Sequence, residues 1–139
     1  MSVEEHYLGN PLLKKANTAI NFTQDQVLEF LRCKDDPVYF AKKHVKIVSL
    51  DEGLTPFRPY DFQESLIRNF HENRFNICKM PRQTGKSTTV VTYLLHYAVF
   101  NDSTNIGILA NKAATARELL GRLQTAYENL PKWMQQGII

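Results

Sequence analysis

Arg74-Phe-Asn-Ile-Cys-Lys-Met-Pro-Arg-Gln-Thr-Gly-Lys-Ser-Thr-Thr-Val90 is the stretch that decides the predicted fold of this chain. The apolar residues near its start, among them Phe75 and Ile77, predict a short buried strand. The loop Met80-Pro-Arg-Gln-Thr-Gly-Lys-Ser87 follows, and the apolar periodicity from Val90 onward predicts a helix. A strand joined to a helix through Gly-Lys-Ser is typical of a phosphate-binding loop, because a helix N-terminus offers unpaired N–H groups and partial positive charge.

Two side chains of this loop would carry the chemistry. In such loops the lysine, here Lys86, reaches the β- and γ-phosphates, and the hydroxyl of Ser87 ligates Mg²⁺. The usual pattern is Gly-x-x-x-x-Gly-Lys-Ser/Thr, and Met80 stands at the position of its first glycine. The loop therefore predicts binding of a nucleoside triphosphate with Mg²⁺. The alternative is a solvated strand-to-helix turn with an incidental lysine.

The bulk composition indicates an ordinary globular protein. Charged residues make up 22% of the chain, which is typical of globular proteins. The net charge of +3 is too small to argue for nucleic-acid binding. Cys33 and Cys78 lie far apart without metal-ligand spacing, so we interpret them as apolar fillers in a reducing compartment. The N-terminus lacks the pattern of a signal peptide, and no segment approaches the roughly 20 apolar residues of a membrane span. We therefore expect a soluble intracellular protein.

The chain divides into three predicted regions. Residues 1–22 form an N-terminal arm, and residues 23–59 form a helical lead-in subdomain with one possible strand at 45–50. Residues 60–139 form the core that carries the phosphate loop. Predicted helices start at Thr23 through a capping box, at Pro37 after Asp36, at Lys86 and after Asn111. One more is predicted to be capped by Asp61, with Glu64 three residues on as the capping partner. Within the lead-in, Tyr39 and His44 are interpreted as packing residues, with a functional pair as the alternative.

A second apolar run completes the predicted core. Asn105-Ile-Gly-Ile-Leu-Ala110 predicts another buried strand, joined to the strand at 74–80 by the helix of residues 86–100. Two strands joined by a helix form a unit that is expected to be parallel and right-handed. The predicted fold class is therefore α/β with parallel strands, preceded by a small helical segment.

Gln63 is the polar residue of interest ahead of the loop. It lies in Tyr60-Asp-Phe-Gln63, at the start of a helix that is predicted to run to about Asn73. A side-chain amide donates and accepts hydrogen bonds at once, which suits the edge of adenine. The alternative, which the residues alone favour, is a solvent-facing glutamine in the first turn of a helix.

Together these motifs resemble the large terminase subunit of tailed bacteriophages, the ATP-driven motor that packages DNA, and most closely the enzymes of T-even-type myoviruses. The likeness rests on the loop at 80–87, on Tyr60-Asp-Phe-Gln63 as an adenine-binding motif, and on Gly107-Ile-Leu-Ala-Asn-Lys112. Cys33-Lys-Asp-Asp-Pro-Val-Tyr-Phe-Ala41 and Leu130-Pro131 with Gly137-Ile138 also fit. The resemblance covers roughly residues 8–139 and implies part of a P-loop NTPase core of the RecA/ASCE type.

The resemblance assigns roles that spacing alone does not give. It implies that Gln63 contacts adenine with Phe62 beside the base, and that Arg82 senses the γ-phosphate. The implied nucleotide site also includes the remaining loop residues, Gln83, Thr84, Gly85, Lys86, Ser87 and Thr88. The implied cofactors are ATP and Mg²⁺. The implied partners are double-stranded DNA, the portal protein and the small terminase subunit, without a membrane, in the cytoplasm of an infected bacterium.

The resemblance also implies catalytic carboxylates that this chain lacks. Nucleotide hydrolysis needs an aspartate at a strand end to hold Mg²⁺ and, in this class, a glutamate that orients water. After Ser87 the only carboxylates are Asp102, Glu118 and Glu128, and none follows an apolar strand. We therefore expect no catalytic residue here and interpret the chain as the front of an ATPase domain. The alternatives are a helicase-like ATPase fragment and a non-catalytic module that binds a partner.

Overall fold

The computed structural model describes residues 6–137, so residues 1–5 of the predicted arm and residues 138–139 lie outside the described range. The described chain contains five α-helices and two β-strands. In chain order these are α1 (Gln24–Asp35), α2 (Pro37–His44), β1 (Lys46–Ser49), β2 (Gly53–Pro56), α3 (Asp61–Glu72), α4 (Lys86–Phe100) and α5 (Ala113–Glu128). No helix in this range is long and apolar enough to cross a bilayer.

The first two helices begin where the sequence places them. The Thr23 hydroxyl accepts a hydrogen bond from the Gln26 N–H at 3.2 Å, and the Gln26 side chain accepts from the Thr23 N–H at 3.0 Å. Asp36 ends α1 and caps α2, where its carboxylate accepts from the N–H groups of Val38 and Tyr39. Each cap satisfies N–H groups that a helix start leaves unpaired. The predicted capping box and the predicted start at Pro37 are confirmed.

The sheet is a small hairpin. The predicted strand at 45–50 is confirmed as β1, and it pairs antiparallel with β2, from Lys46 opposite Pro56 to Ser49 opposite Gly53. Gly53 has φ +70°, a left-handed conformation that favours glycine and lets the chain reverse between the strands. The second strand has no counterpart among the sequence-based predictions.

The predicted α/β fold with parallel strands, a partial P-loop NTPase core, is wrong. Within residues 6–137 neither the segment 74–80 nor the segment 105–110 joins a sheet, and the chain is helix-rich with one two-stranded antiparallel sheet. Both segments face solvent, as the exposures of 101% for Ile77 and 92% for Leu109 show. An apolar run becomes a strand only when a neighbour pairs its N–H and C=O groups and covers its side chains. No described segment does this for either run.

The hydrophobic core surrounds α4, which contacts α2, α3 and α5. The Phe40 ring of α2 lies 5.3 Å from the Phe100 ring and 5.4 Å from the His96 ring of α4, centroid to centroid. Ile67 of α3 and Leu95 of α4 are fully buried in the same cluster. Burial of apolar side chains on several faces of α4 explains why this helix is apolar over much of its surface.

The N-terminal arm packs against the C-terminal segment of the described chain. The buried side chain of Gln135 accepts a hydrogen bond from the Lys14 N–H at 2.9 Å. Its amide nitrogen donates to the carbonyl oxygens of Leu12 at 2.9 Å, Tyr127 at 3.2 Å and Leu130 at 3.4 Å. One amide therefore joins the arm to the end of α5.

His96 is a buried histidine in the core. Its Nε2 lies 2.9 Å from the carbonyl oxygen of Cys33 and donates to it, while Nδ1 has no partner among residues 6–137. Burial is the main cause that lowers the pKa of His96, and the nearby His71 ring adds to it. The ring is therefore neutral in the folded protein at pH 7.

This burial predicts acid sensitivity. The unfolded histidine titrates near pH ~6.5, so the stability that a neutral His96 contributes is complete above that pH. That contribution is lost as the pH falls through the lowered pKa of the folded state. We expect the free energy of unfolding to fall less between pH 7 and 5 in His96→Gln than in the parent. Urea denaturation at both pH values measures this, with His6→Gln on the arm as control. An unchanged pH dependence in His96→Gln would contradict the prediction.

Candidate functional site

The loop before α4 has an unusual backbone. Gln83 has φ +60°, and Gly85, the N-cap of α4, has φ +72° and ψ 19°. A left-handed residue costs about 1 to 2 kcal/mol unless it is glycine, so Gln83 is held there by its surroundings. A left-handed Gly85 followed by the helical Lys86 turns successive N–H groups toward one side. This backbone pattern is one in which successive N–H groups can converge on an anion.

The first turn of α4 adds backbone donors next to this loop. The N–H groups of Lys86, Ser87 and Thr88 have no acceptor within residues 6–137, and the first backbone bond of the helix runs from Thr89 N–H to Gly85 O at 3.0 Å. The partial positive charge of a helix N-terminus lies at the same place. The predicted start of the helix at Lys86 is confirmed.

Lys86 spans the loop. Its Nζ donates to the carbonyl oxygen of Met80 at 3.2 Å, so the ammonium group ties the start of the loop to its end. The residue is half-buried, whereas Lys79 just before the loop is exposed. The acceptor of the ammonium is a neutral carbonyl rather than a carboxylate. An incoming phosphate would therefore bring the stronger, charge-assisted partner.

Gln63 connects α3 to the same loop. It is 3% exposed, its oxygen accepts from the Tyr60 N–H at 2.9 Å, and its nitrogen donates to Gly85 O at 3.3 Å. The solvent-facing interpretation therefore does not hold. The predicted cap of Asp61 with Glu64 is also wrong, because Tyr60 is the N-cap of α3 and Gln63 closes its first turn. The amide keeps one further donor and one further acceptor site, so contact with adenine stays a prediction.

The other predicted site residues lie around this loop. Phe62 is 46% exposed and stacks on the Tyr60 ring, with centroids 5.9 Å apart and planes inclined by 10°. Arg82 is exposed and has no salt bridge with residues of the described range. Thr84 donates from its hydroxyl to Pro81 O at 3.0 Å, and Ser87 and Thr88 are half-buried at the helix start.

The three carboxylates after Ser87 have other surroundings. Glu118 forms a salt bridge with Arg122 at 2.6 Å, Glu128 accepts from the side chain of Asn10 at 3.5 Å, and Asp102 is exposed just after α4. Glu118 lines a cleft of about 720 Å³ between β1, α4 and α5, which Thr88 also lines. Glu118 therefore shares a cleft with a predicted site residue, and its charge is already paired.

No protein-family model matches this chain. What supports a nucleotide site is the geometry of the loop, of the helix start and of the contact between Gln63 and Gly85.

Proposed function

We propose that the chain binds ATP with Mg²⁺ through residues 80–88. One observation carries the proposal: a lysine ammonium lies across a loop whose helix start has three N–H groups without acceptors among the described residues. Backbone donors, a helix N-terminus and a formal positive charge at one turn are what a polyphosphate needs. The proposal rests on this local geometry and does not require the parallel sheet.

The proposed roles follow from position. Lys86 exchanges Met80 O for the β- and γ-phosphates, while the N–H groups of residues 86–88 hold phosphate oxygens. Ser87 supplies a hydroxyl ligand to Mg²⁺, and the exposed Arg82 reaches the γ-phosphate. The exposed Phe62–Tyr60 pair offers an aromatic surface to the base, beside Gln63. The proposal concerns binding, and no residue of this chain is assigned to activate water.

We further propose that this nucleotide site serves DNA packaging. The support is the resemblance to large terminase subunits, which also implies double-stranded DNA, a portal protein and a small terminase subunit as partners, in the cytoplasm of an infected bacterium. A helicase-like ATPase is the alternative within the same chemistry. Dependence of nucleotide binding on single-stranded nucleic acid, rather than on a portal-bearing prohead, would favour that alternative.

Nucleotide-independent partner binding is a second candidate function. It is favoured by Phe75, Ile77 and Leu109, whose side chains are 83%, 101% and 92% exposed. Large apolar side chains at such exposure are typical of surfaces that a partner covers. A partner that binds equally well to the parent chain and to a Lys86→Ala variant, without nucleotide, would support this function.

Lys86→Ala is the variant that tests the nucleotide site. We expect it to weaken MgATP binding about 10- to 100-fold, because hydrogen bonds to charged groups are each worth about 1.5 to 3 kcal/mol. Titration calorimetry of the parent, of Lys86→Ala and of Lys79→Ala measures this directly. Lys79 is an exposed lysine of the same segment, so its removal changes net charge equally and is expected to change the affinity less than threefold. Equal losses in both variants, or no binding to the parent chain, would contradict the proposal.

A further inference from the structure

A second polar cluster lies between α1 and α2, away from the phosphate loop. Glu29 and Cys33 occupy successive turns on one face of α1, and His44 is the last residue of α2. One oxygen of Glu29, the Cys33 sulfur and one ring nitrogen of His44 all lie within 4.8 Å of one another. Carboxylate, thiolate and imidazole are the three ligand types that zinc uses in proteins.

The side chains already point at one another. His44 Nε2 lies 2.7 Å from Glu29 Oε1, and Cys33 Sγ lies 3.9 Å from the same oxygen. The Tyr39 hydroxyl is 3.0 Å from both oxygens of the Glu29 carboxylate and so fixes its orientation. Only Asp36 separates the two helices, which limits how far the ligands can move apart.

We propose that Glu29, Cys33 and His44 bind a zinc ion, with a water molecule as the fourth ligand. Tetrahedral zinc places nitrogen and oxygen ligands about 3.3 Å apart and sulfur about 3.6 Å from either. The ion therefore requires His44 Nε2 and Glu29 Oε1 to separate by roughly 0.6 Å and the sulfur to approach the oxygen slightly. Changes of this size are within the reach of side-chain rotation. Tyr39 acts on the site as a positioning residue through Glu29.

The charges of the cluster balance in the bound state. Thiolate and carboxylate together match the +2 charge of zinc, and the thiol proton leaves to solvent as the sulfur–zinc bond forms. The Nε2 hydrogen that His44 donates to Glu29 is exchanged through solvent for one on Nδ1, so that the Nε2 lone pair is free to bind the ion. Without the ion, burial raises the pKa of the Cys33 thiol to about 12, so the free site holds a neutral thiol. Burial alone would raise the pKa of the Glu29 carboxyl, but hydrogen bonds from His44 and Tyr39 outweigh it and hold that pKa below its usual value. The ligand carboxylate is therefore ionised before the metal arrives.

Access to the cluster is narrow but open. The side chains of His44 and Glu29 are 10% and 23% exposed, whereas Cys33 is fully buried beneath them. The ion would enter past the imidazole and the carboxylate and meet the sulfur last. Three protein ligands with one open position are the arrangement that zinc adopts where water or another small ligand is also bound.

The chain has a built-in reporter for this site. Trp133, the only tryptophan, has its ring 6.0 Å from the ring of His44, centroid to centroid. Cobalt(II) is the probe to use, since it takes zinc ligand sets, absorbs strongly when bound to thiolate and quenches nearby indole fluorescence. Zinc added afterwards should displace it and reverse both signals.

The test compares the parent chain with three variants, Cys33→Ser, His44→Gln and the control Cys78→Ser. We expect one equivalent of cobalt to give a thiolate charge-transfer band and quenched Trp133 emission in the parent and in Cys78→Ser. Cys33→Ser should lose the band, and both site variants should bind zinc at least about tenfold more weakly. Cys78 is an exposed free thiol that lies outside the cluster. Its replacement removes the same chemical group as Cys33→Ser and leaves the proposed ligands in place.

The possible outcomes separate a metal site from a hydrogen-bonded packing cluster. A band that persists in Cys33→Ser, or the absence of any cobalt or zinc binding in the parent, would overturn the proposal. If the buried Cys33→Ser variant does not fold, the half-buried His44→Gln variant provides the test. Cobalt quenching of Trp133 that zinc reverses as readily in His44→Gln as in the parent would then overturn the proposal. Lys86→Ala should leave the cobalt signals unchanged, which keeps this inference separate from nucleotide binding.

Discussion

Gly85→Ala is expected to destabilise the fold by about 2 to 5 kcal/mol and to abolish measurable MgATP binding. The substituted residue would have to keep φ +72°, which costs about 1 to 2 kcal/mol for alanine. Its Cβ would also lie 2.5 Å from Gln63 Nε2, so the buried Gln63 amide must move and lose partners, at a further cost of about 1 to 3 kcal/mol. Urea denaturation measures the first effect and titration calorimetry the second.

Gly121→Ala is the matched control for this variant. Gly121 lies inside α5, and a Cβ there meets nothing within 4 Å. Alanine is the better helix former, so Gly121→Ala should stabilise the protein by up to about 1 kcal/mol. If both glycine variants behaved alike, the left-handed backbone and the Gln63 contact at Gly85 would have no energetic role, and the described loop geometry would be incorrect.

Gln135→Leu is expected to cost about 2 to 4 kcal/mol and to free the N-terminal arm. Leucine fills a similar volume but leaves the Lys14 N–H and the carbonyl oxygen of Leu12 without the partners that Gln135 provides. An unpaired buried polar group costs about 1 to 3 kcal/mol. Denaturant unfolding gives the free energy, and limited proteolysis of the arm reports its release.

Gln124→Leu serves as the control for the arm experiment. Gln124 is exposed on α5 and makes one long hydrogen bond, 3.4 Å, to the side chain of Glu128. Its replacement should change the free energy of unfolding by less than about 0.5 kcal/mol. Protection of the arm from protease that is equal in Gln135→Leu and in the parent would show that other contacts hold the arm.

The sequence predicts those parts of the fold that are determined within a few residues. Thr23 and Gln26 cap α1, Asp36 and Pro37 start α2, and Gly85 precedes α4, each through atoms close in the chain. The apolar runs at 74–80 and 105–110 differ, because a strand needs a partner from elsewhere in the chain. The apolar side chains of these runs indicate a preference for burial. They do not indicate whether a neighbouring strand is present to pair with the run.

In the candidate site, too, the sequence predicts the features that depend on nearby residues and misses those that depend on distant ones. The spacing of the loop predicts a helix start at Lys86 and a lysine at the phosphate position. The contact of Gln63 with Gly85 spans 22 residues, and no local pattern predicts it. For the cluster between α1 and α2, the sequence offers one local signal. Glu29 and Cys33 are four residues apart on a predicted helix, which places them on the same face. His44 joins them only after α2 folds back.

The bond between Lys14 and Gln135 also bears on the order of folding. It closes a loop of 121 residues, so during synthesis at about 5 to 20 residues per second Lys14 waits roughly 6 to 24 seconds for its partner. Closing so long a loop has a large entropic cost, and helices with local contacts form sooner. We therefore expect the arm to dock late, onto a core that is already assembled. Loss of Gln135 should accordingly speed unfolding and leave the refolding rate almost unchanged.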